Sequence, residues 1–314
     1  VLSHKMDFWI LAIRIIFLVQ NTTGIPGNFS LLFYYLIVYQ KECILKPTDL
    51  ILMHQMAANT LIILSAGVPQ TMAVWGLKQF LNHLECELIL SIQRFGRSMS
   101  ICTTCLLSIF QAMTISSRKF CWKDHIVKAV KYIGCYISLI WVLYILINFI
   151  FCVYALIKMD NKNVTRDFGY CSIIENDKII EILYAALVMC PEFFFSVLIA
   201  WSSGFMIVIL YRHKQRVQHT MSTHGSSRNS PEFRATQNIL ALMSTFLAFY
   251  TLSSISRGCI ALLYNHSWWL MIVNQFISLS FPSFGPFVLM NHYSNISGHI
   301  LISPSLISSC TTRQ

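Results

Sequence analysis

The chain is 314 residues long, 55% apolar and only 11% charged, with a mean hydropathy of +0.59. A soluble protein of this length carries roughly a quarter charged residues to cover its surface, so soluble multidomain, disordered, coiled-coil, collagen-like and secreted disulfide-scaffold classes are excluded. The net charge of +10 sits in short clusters between long apolar runs and forms no Lys/Arg stripe interleaved with aromatics, which excludes nucleic acid as a partner and leaves membrane lipid as the main solvent.

Seven apolar runs, at about 10–39, 49–76, 87–115, 130–156, 179–211, 235–264 and 268–291, reach the roughly 20 residues that cross about 30 Å of hydrocarbon. Backbone groups in lipid must be bonded within their own segment, which predicts helices and not strands. Lys46-Pro47-Thr48 and Ser230-Pro231-Glu232 read as helix starts, with proline in the first turn. In the first run, Phe8 to Val19 has the length of a signal-peptide core. It contains Arg14, however, and continues through Gln20-Asn21-Thr22-Thr23 into more apolar sequence without a small-residue cleavage site. We read it as the outer part of one long helix; because the chain begins on Val1, a preceding segment is an open expectation. The expected fold is an all-α membrane protein, a seven-transmembrane helix bundle over residues 1–291 with a tail at 292–314.

Orientation follows from the cations. Lys and Arg in the first, third and fifth connections and the tail outnumber those on the opposite side about two to one. This predicts an outer N-terminus and a short cytoplasmic tail. Cys86, where the third helix leaves the outer face, and Cys171, in the long second outer loop, then share an oxidising compartment, and a disulfide between them pins that loop over the bundle. The remaining cysteines show no CxxC or Cys/His zinc spacing and read mostly as inert buried thiols. Among the N-x-S/T sequons, Asn21 and Asn28 fall inside the first helix, Asn295 lies inside the cell and Asn265 sits too close to the bilayer. Asn163 is the glycosylation candidate.

Seven helices, an outer N-terminus and a pinned second outer loop point to a G-protein-coupled receptor, and particular strings narrow the family. The third-helix run Ile101-Cys-Thr-Thr-Cys-Leu-Leu-Ser108, continuing from Phe110 to Ser116, resembles the vomeronasal type 1 pheromone receptors. So do Leu210 to His219, Ser230-Pro231-Glu232 with Arg234 to Gln237, Phe281 to Leu289, and the second-helix start Lys46 to His54. The resemblance spans Gln20 to about Asn291. It implies a multi-pass plasma-membrane chemoreceptor whose ligand is a small hydrophobic pheromone or odorant and whose partner is a heterotrimeric G protein of the inhibitory type. The basic helix end Arg212, His213, Lys214 and Arg216 is the coupling candidate, with a positive-inside anchor as the alternative reading. The sequence lacks the Asp-Arg-Tyr and Asn-Pro-x-x-Tyr strings of the broad rhodopsin-like class; Thr114-Ile115-Ser116 and Pro286-Phe287-Val288 stand there instead. Pro26 and Pro191 are departures even within the family and are expected to kink their helices.

Ionisable groups inside a membrane are costly and face a cavity or a partner. Counting from Cys86, Arg94 lies about 12 Å and Arg97 about 16 Å down the third helix, on one face. Glu192 reaches a comparable depth in the fifth helix, and Arg257 lies near the outer end of the sixth. These four are the ligand-binding candidates, with Glu192 neutralising one arginine and the others leaving excess positive charge for an acceptor or anionic ligand group. The competing reading makes them scaffold that bonds helix carbonyls and one another. Asn28 and Asn59 are expected to form an interhelical amide bond. Trp75, Trp268 and Trp269 read as interface aromatics. No local nucleophile or metal motif is present in the sequence, so neither an enzyme, a metal nor a cofactor is expected. A bitter-taste-type receptor is the nearest sibling reading, disfavoured by the Cys86–Cys171 pair, and a secondary transporter is the alternative from another class, disfavoured by the lack of repeats between the halves.

Overall fold

The computed structural model of the chain describes residues 2–42, 47–117, 123–157, 165–167, 170–174, 182–183, 185–221, 244–256 and 268–300. These residues form a bundle of long helices and one small hairpin. In chain order the helices are α1 (Leu2–Glu42), α2 (Pro47–Val74), α3 (His83–Ser117), α4 (Lys123–Ile157), α5 (Cys190–Met221), α6 (described over 244–256) and α7 (Trp268–Ile300). Between α4 and α5, β1 (Thr165–Asp167) pairs antiparallel with β2 (Ser172–Ile174), Arg166 opposite Ile173. Among the described residues, five stretches are long and apolar enough to cross a membrane: Phe8–Gln40, Pro47–Val74, Tyr132–Tyr154, Ala186–Ile209 and Trp269–Met290. Several helices extend past the apolar runs, α7 as far as Ile300 and so beyond the boundary at 291, because helical hydrogen bonding does not stop where hydropathy does.

Prolines are accommodated in two ways. Pro26 lies inside α1, which stays helical on both sides of it. Pro69 and Pro191 each follow a π turn by two residues: Ile63–Gly67 within α2 and Ala185–Met189 ahead of α5. Proline lacks the N–H that would bond the carbonyl four residues back, and its ring collides with that carbonyl. The wider π turn relieves both problems, a common adjustment where neighbouring helices supply the missing contacts.

The centre of the bundle is α3, which packs against α2, α4 and α5, while α1 packs against α2 and α7. The main core joins Leu31 and Tyr35 of α1, Ile51 and Met56 of α2, Ile101 and Cys105 of α3, Ile199 of α5, Phe246 and Tyr250 of α6 and Phe281 of α7. Outward faces are apolar: Leu139, Val142, Leu146 and Phe149 on α4 and Phe193 and Trp201 on α5 are exposed, as lipid-facing side chains should be. Among the described residues the free cysteines divide accordingly, with Cys102, Cys105 and Cys152 buried and Cys135 and Cys190 on outward faces. Small residues set the spacing. A Cβ on Gly96 of α3 would lie 3.1 Å from the Ala58 carbonyl oxygen of α2, and one on Gly24 of α1 would lie 3.0 Å from the Ser283 Cα of α7. Close backbone approach of this kind lets dispersion hold helices together where no hydrophobic force acts between helix and lipid.

Gly96→Val and Gly24→Val are therefore expected to lower stability by about 1–3 kcal/mol through overpacking. Gly204→Val, at a position with nothing within 4 Å, should be neutral. Thermal unfolding of the three purified variants checks the contrast.

Candidate functional site

Helical spacing places Gln93, Arg97, Ser100 and Thr104 along one side of α3, three or four residues apart. At Arg97 that side meets α5 and α6. The Arg97 guanidinium donates from Nη1 to Ser253 Oγ and from Nη2 to Ser254 Oγ, both at 3.0 Å, and its Nε lies 3.6 Å from Glu192 Oε2. Its Cζ stands 4.2 Å from the centre of the Tyr250 ring, a cation–π contact. Glu192 is itself only 3% exposed. It accepts from Ser98 Oγ at 2.9 Å and from the Tyr250 hydroxyl. One carboxylate thus joins three helices, in the form a buried charge requires, namely paired and hydrogen-bonded.

About a turn towards the disulfide end, Arg94 Nη2 lies 3.8 Å from Glu87 Oε2 and donates to Ser91 Oγ at 2.9 Å. Glu87 is 2% exposed. Glu87 is absent from the sequence candidates, so the excess positive charge expected of this region is too large by one. Among the described residues Arg94 and Arg97 each face a carboxylate, and the excess expected there is offset. A signal for Glu87 existed, because seven residues are two helical turns and put Glu87 and Arg94 on one face. Ser98, Tyr250, Ser253 and Ser254 also escaped the sequence reading, since uncharged polar residues in a helix announce no partner. Arg257 lies outside the described residues.

Further contacts bound the same region. Gln93 Nε2 reaches Gln275 Oε1 of α7 at 3.5 Å, and Ser253 and Ser278 share a hydrogen bond of 2.6 Å between α6 and α7. From Tyr250 a ladder of rings leads towards the far end: Phe246 stacks on Tyr250 with centroids 5.7 Å apart, and Phe281 of α7 meets Phe246 edge-on at 4.5 Å. Beside Phe281 lies a void of about 10 Å³, room for roughly one water, lined by Gln55, Met56, Thr104, Leu107, Gly285 and Leu289. At the disulfide end, Cys86 is bonded to Cys171 with Cα atoms 5.8 Å apart, and Tyr170 is fully buried beside it with Phe80 and Leu81. Burial pushes the Tyr170 hydroxyl well above its ordinary pKa. The disulfide and β2 hold the connection between α4 and α5 against the start of α3.

The amide pair expected between Asn28 and Asn59 does not form. Asn28 Nδ2 donates to the carbonyls of Gly24 and Pro282, each at 2.8 Å, and Asn59 Oδ1 accepts from Ser100 Oγ at 3.1 Å. Pro282 has a free acceptor to offer because the residue four positions on, Pro286, has no N–H. Gln55 is a second amide tying α2 to α3, donating to Ser100 Oγ at 2.8 Å and accepting from Thr103 and Thr104. Arg212 is exposed, and α5 carries the positions of His213, Lys214 and Arg216 as it continues to Met221, although the side chains of those three lie outside the described residues. Asn163 lies outside them too.

Tyr250→Phe should cost about 1–3 kcal/mol, because it strips a donor from a buried carboxylate that keeps only Ser98 and the looser Arg97 contact. Ser254→Ala, at a partly buried position, should cost less. Chemical denaturation of both variants against the wild type measures the difference.

Comparison with known proteins fits this architecture. The family model described as vomeronasal organ pheromone receptor family, V1R, matches residues 11–301. The human protein named vomeronasal type-1 receptor 4 is 46% identical over 274 residues, 87% of this chain and 91% of that protein. Human vomeronasal type-1 receptor 3 is 40% identical over 305 residues, 96% and 95% of the two chains. The rat protein named vomeronasal type-1 receptor 90 is 31% identical over 280 residues, 84% and 87% of the two. With five helices among the described residues apolar and long enough to span a bilayer, the chain is a multi-pass plasma-membrane receptor, not an enzyme, and belongs to the vomeronasal type-1 receptor family.

Proposed function

We propose that the chain is a seven-transmembrane chemosensory receptor with its N-terminus outside, residues 1–291 forming the receptor domain and 292–314 a short cytoplasmic tail. In this reading it detects a small hydrophobic pheromone or odorant at the disulfide end, between α3, α5, α6 and α7, and activates an inhibitory-type G protein at the opposite end. Arg94, Arg97, Glu192 and Arg257 line the ligand chamber. Arg212, His213, Lys214 and Arg216 form part of the G-protein surface, Asn163 carries the glycan, and lipid covers the apolar outer faces.

The single observation that carries this reading is the junction of Arg97, Glu192 and Tyr250, because a ligand acting there perturbs α3, α5 and α6 together. The ring ladder Tyr250–Phe246–Phe281 then supplies a packed route from that junction to α7, and the void beside Phe281 gives the ring space to shift. A ligand changes the balance of states only through contacts that differ between them, and a three-helix junction offers such differences.

The experiment is expression of the receptor with each G-protein class in turn and a panel of volatile and steroidal odorants. Nucleotide exchange stimulated by a panel member on the inhibitory-type protein supports the reading. Exchange confined to another class would correct the partner, and ligand uptake into vesicles without exchange would replace the receptor reading with a transporter. Neutralising Arg212, Lys214 and Arg216 together should lower exchange about tenfold or more at unchanged surface expression, equivalent to about 1.4 kcal/mol or more of coupling. Cys86→Ser and Cys171→Ser should each reduce surface delivery, and the double variant should be no worse than either single one, since both remove the same bond.

A further inference from the structure

Arg97 is the deeper of the two candidate arginines on α3, and both of its terminal nitrogens and its charge already have partners within the protein. Two hydrogen bonds go to Ser253 and Ser254 at 3.0 Å, Nε faces the Glu192 carboxylate at 3.6 Å, and the Tyr250 ring covers one face of the guanidinium. The side chains of Arg97 and Glu192 are 12% and 5% exposed. Guanidinium groups are the usual docking point for carboxylates and sulfates, and here a carboxylate of the protein's own chain already supplies the counter-charge.

We infer that Glu192 is a specificity-determining residue: it is a built-in counter-charge at Arg97, closes that arginine to acidic ligands, and makes this junction select uncharged molecules bearing a hydroxyl or carbonyl. This rests on the reading of the region as a ligand chamber and names the ligand class. An entering anion would either displace Glu192 or share the one guanidinium with it, and both leave one carboxylate in excess in a low-dielectric interior, where burying an unpaired charge is severely unfavourable. A cation meets the opposite penalty at Arg97. The Arg94–Glu87 pair about a turn away is balanced in the same sense, so neither sign of ligand charge finds an uncompensated partner in these two pairs. A neutral molecule faces no such barrier. The hydroxyls of Ser98, Ser254 and Tyr250 and the amides of Gln93 and Gln275 can exchange hydrogen bonds with it while the ion pair stays intact.

The test is charge rescue on the purified full-length receptor, read as the thermal unfolding midpoint with small probes at constant ionic strength. The probes are formate and propionate, set against formamide and ethanol. Glu192→Ala leaves Arg97 uncompensated beside a carboxylate-sized hole, and its midpoint should fall by about 5–10 °C. Formate or propionate should restore at least about half of that loss and the neutral probes none, because only an anion replaces the missing charge. The wild type should move by less than about 1 °C with either class. Should Glu192→Ala fail to fold, Glu192→Gln keeps the size of the side chain and is expected to gain stabilisation from carboxylates alone. Carboxylate stabilisation of the wild type equal to that of the variant would overturn the inference, as would a folded variant indifferent to carboxylates. The readout is unfolding and not signalling, so failure here leaves the receptor reading standing, and a silent odorant panel leaves the rescue result standing.

Discussion

The structure depends on the need to bury α3. This helix carries Glu85, Glu87, Arg94 and Arg97 within its first half, followed by Ser98, Ser100, Thr103, Thr104 and Ser108. None of the five stretches apolar enough to cross a membrane falls on it. Placed against hydrocarbon, its charges would cost several kcal/mol each even on the more lenient scales. Surrounded by α2, α4 and α5, with α6 reached through Arg97, each of those groups can be paired. The apolar helices are therefore lipid-facing walls around a polar axis, which explains why α4 and α5 expose Leu, Val, Phe and Trp outward while Ser98, Ser100, Thr103 and Ser108 are almost completely buried.

Polar contacts then index the helices against one another. Gln55 ties α2 to α3, a Ser108–Ser202 hydroxyl pair ties α3 to α5, and Gln20 of α1 donates to Ser280 Oγ of α7 at 3.2 Å. Asn21 of α1 donates to the Gly67 carbonyl at 2.9 Å, where the π turn of α2 ends. Individual hydrogen bonds between membrane helices are worth roughly 0.6 kcal/mol on average, so no single one determines the bundle. Severing a buried ion pair costs about 3–5 kcal/mol. By that measure the Arg97–Glu192 junction is the strongest polar link between α3 and its neighbours, and it lies in the half of the bundle that the disulfide covers. A site that responds to a small molecule gains from being built there, since a modest change in contacts acts on three helices together.

Reading the sequence alone locates most helices, because hydropathy and proline positions follow directly from the solvent that each segment must face. It also singles out Arg94, Arg97 and Glu192, since ionisable residues are conspicuous inside apolar runs. The partners of these charges are a different matter. Glu87 lies one residue from Cys86 and reads as a surface acid until the hairpin and Tyr170 are seen to enclose that end of α3. Asn28 and Asn59 look like a pair because each lies about ten residues from its helix end, yet α7 comes closer to Asn28 than α2 does. There the Pro282 carbonyl, released by Pro286, accepts its amide.

By itself, the sequence determined that the chain is a bundle of membrane-crossing helices of this receptor family, that cysteines suited to an outer disulfide stand at Cys86 and Cys171, and that charges lie deep within it. Those properties are local: they depend on composition, spacing along one helix, and strings that can be read in order. Only the tertiary structure decided which arginine meets which carboxylate, that Tyr250 and Ser98 complete the shell of Glu192, and that Arg94 and Arg97 each face a buried carboxylate. Rotation and depth of one helix relative to another are set by packing at places such as Gly24 and Gly96, where backbone contact fixes the register. A shift of a single residue in that register would turn a side chain by about 100° and exchange its partners.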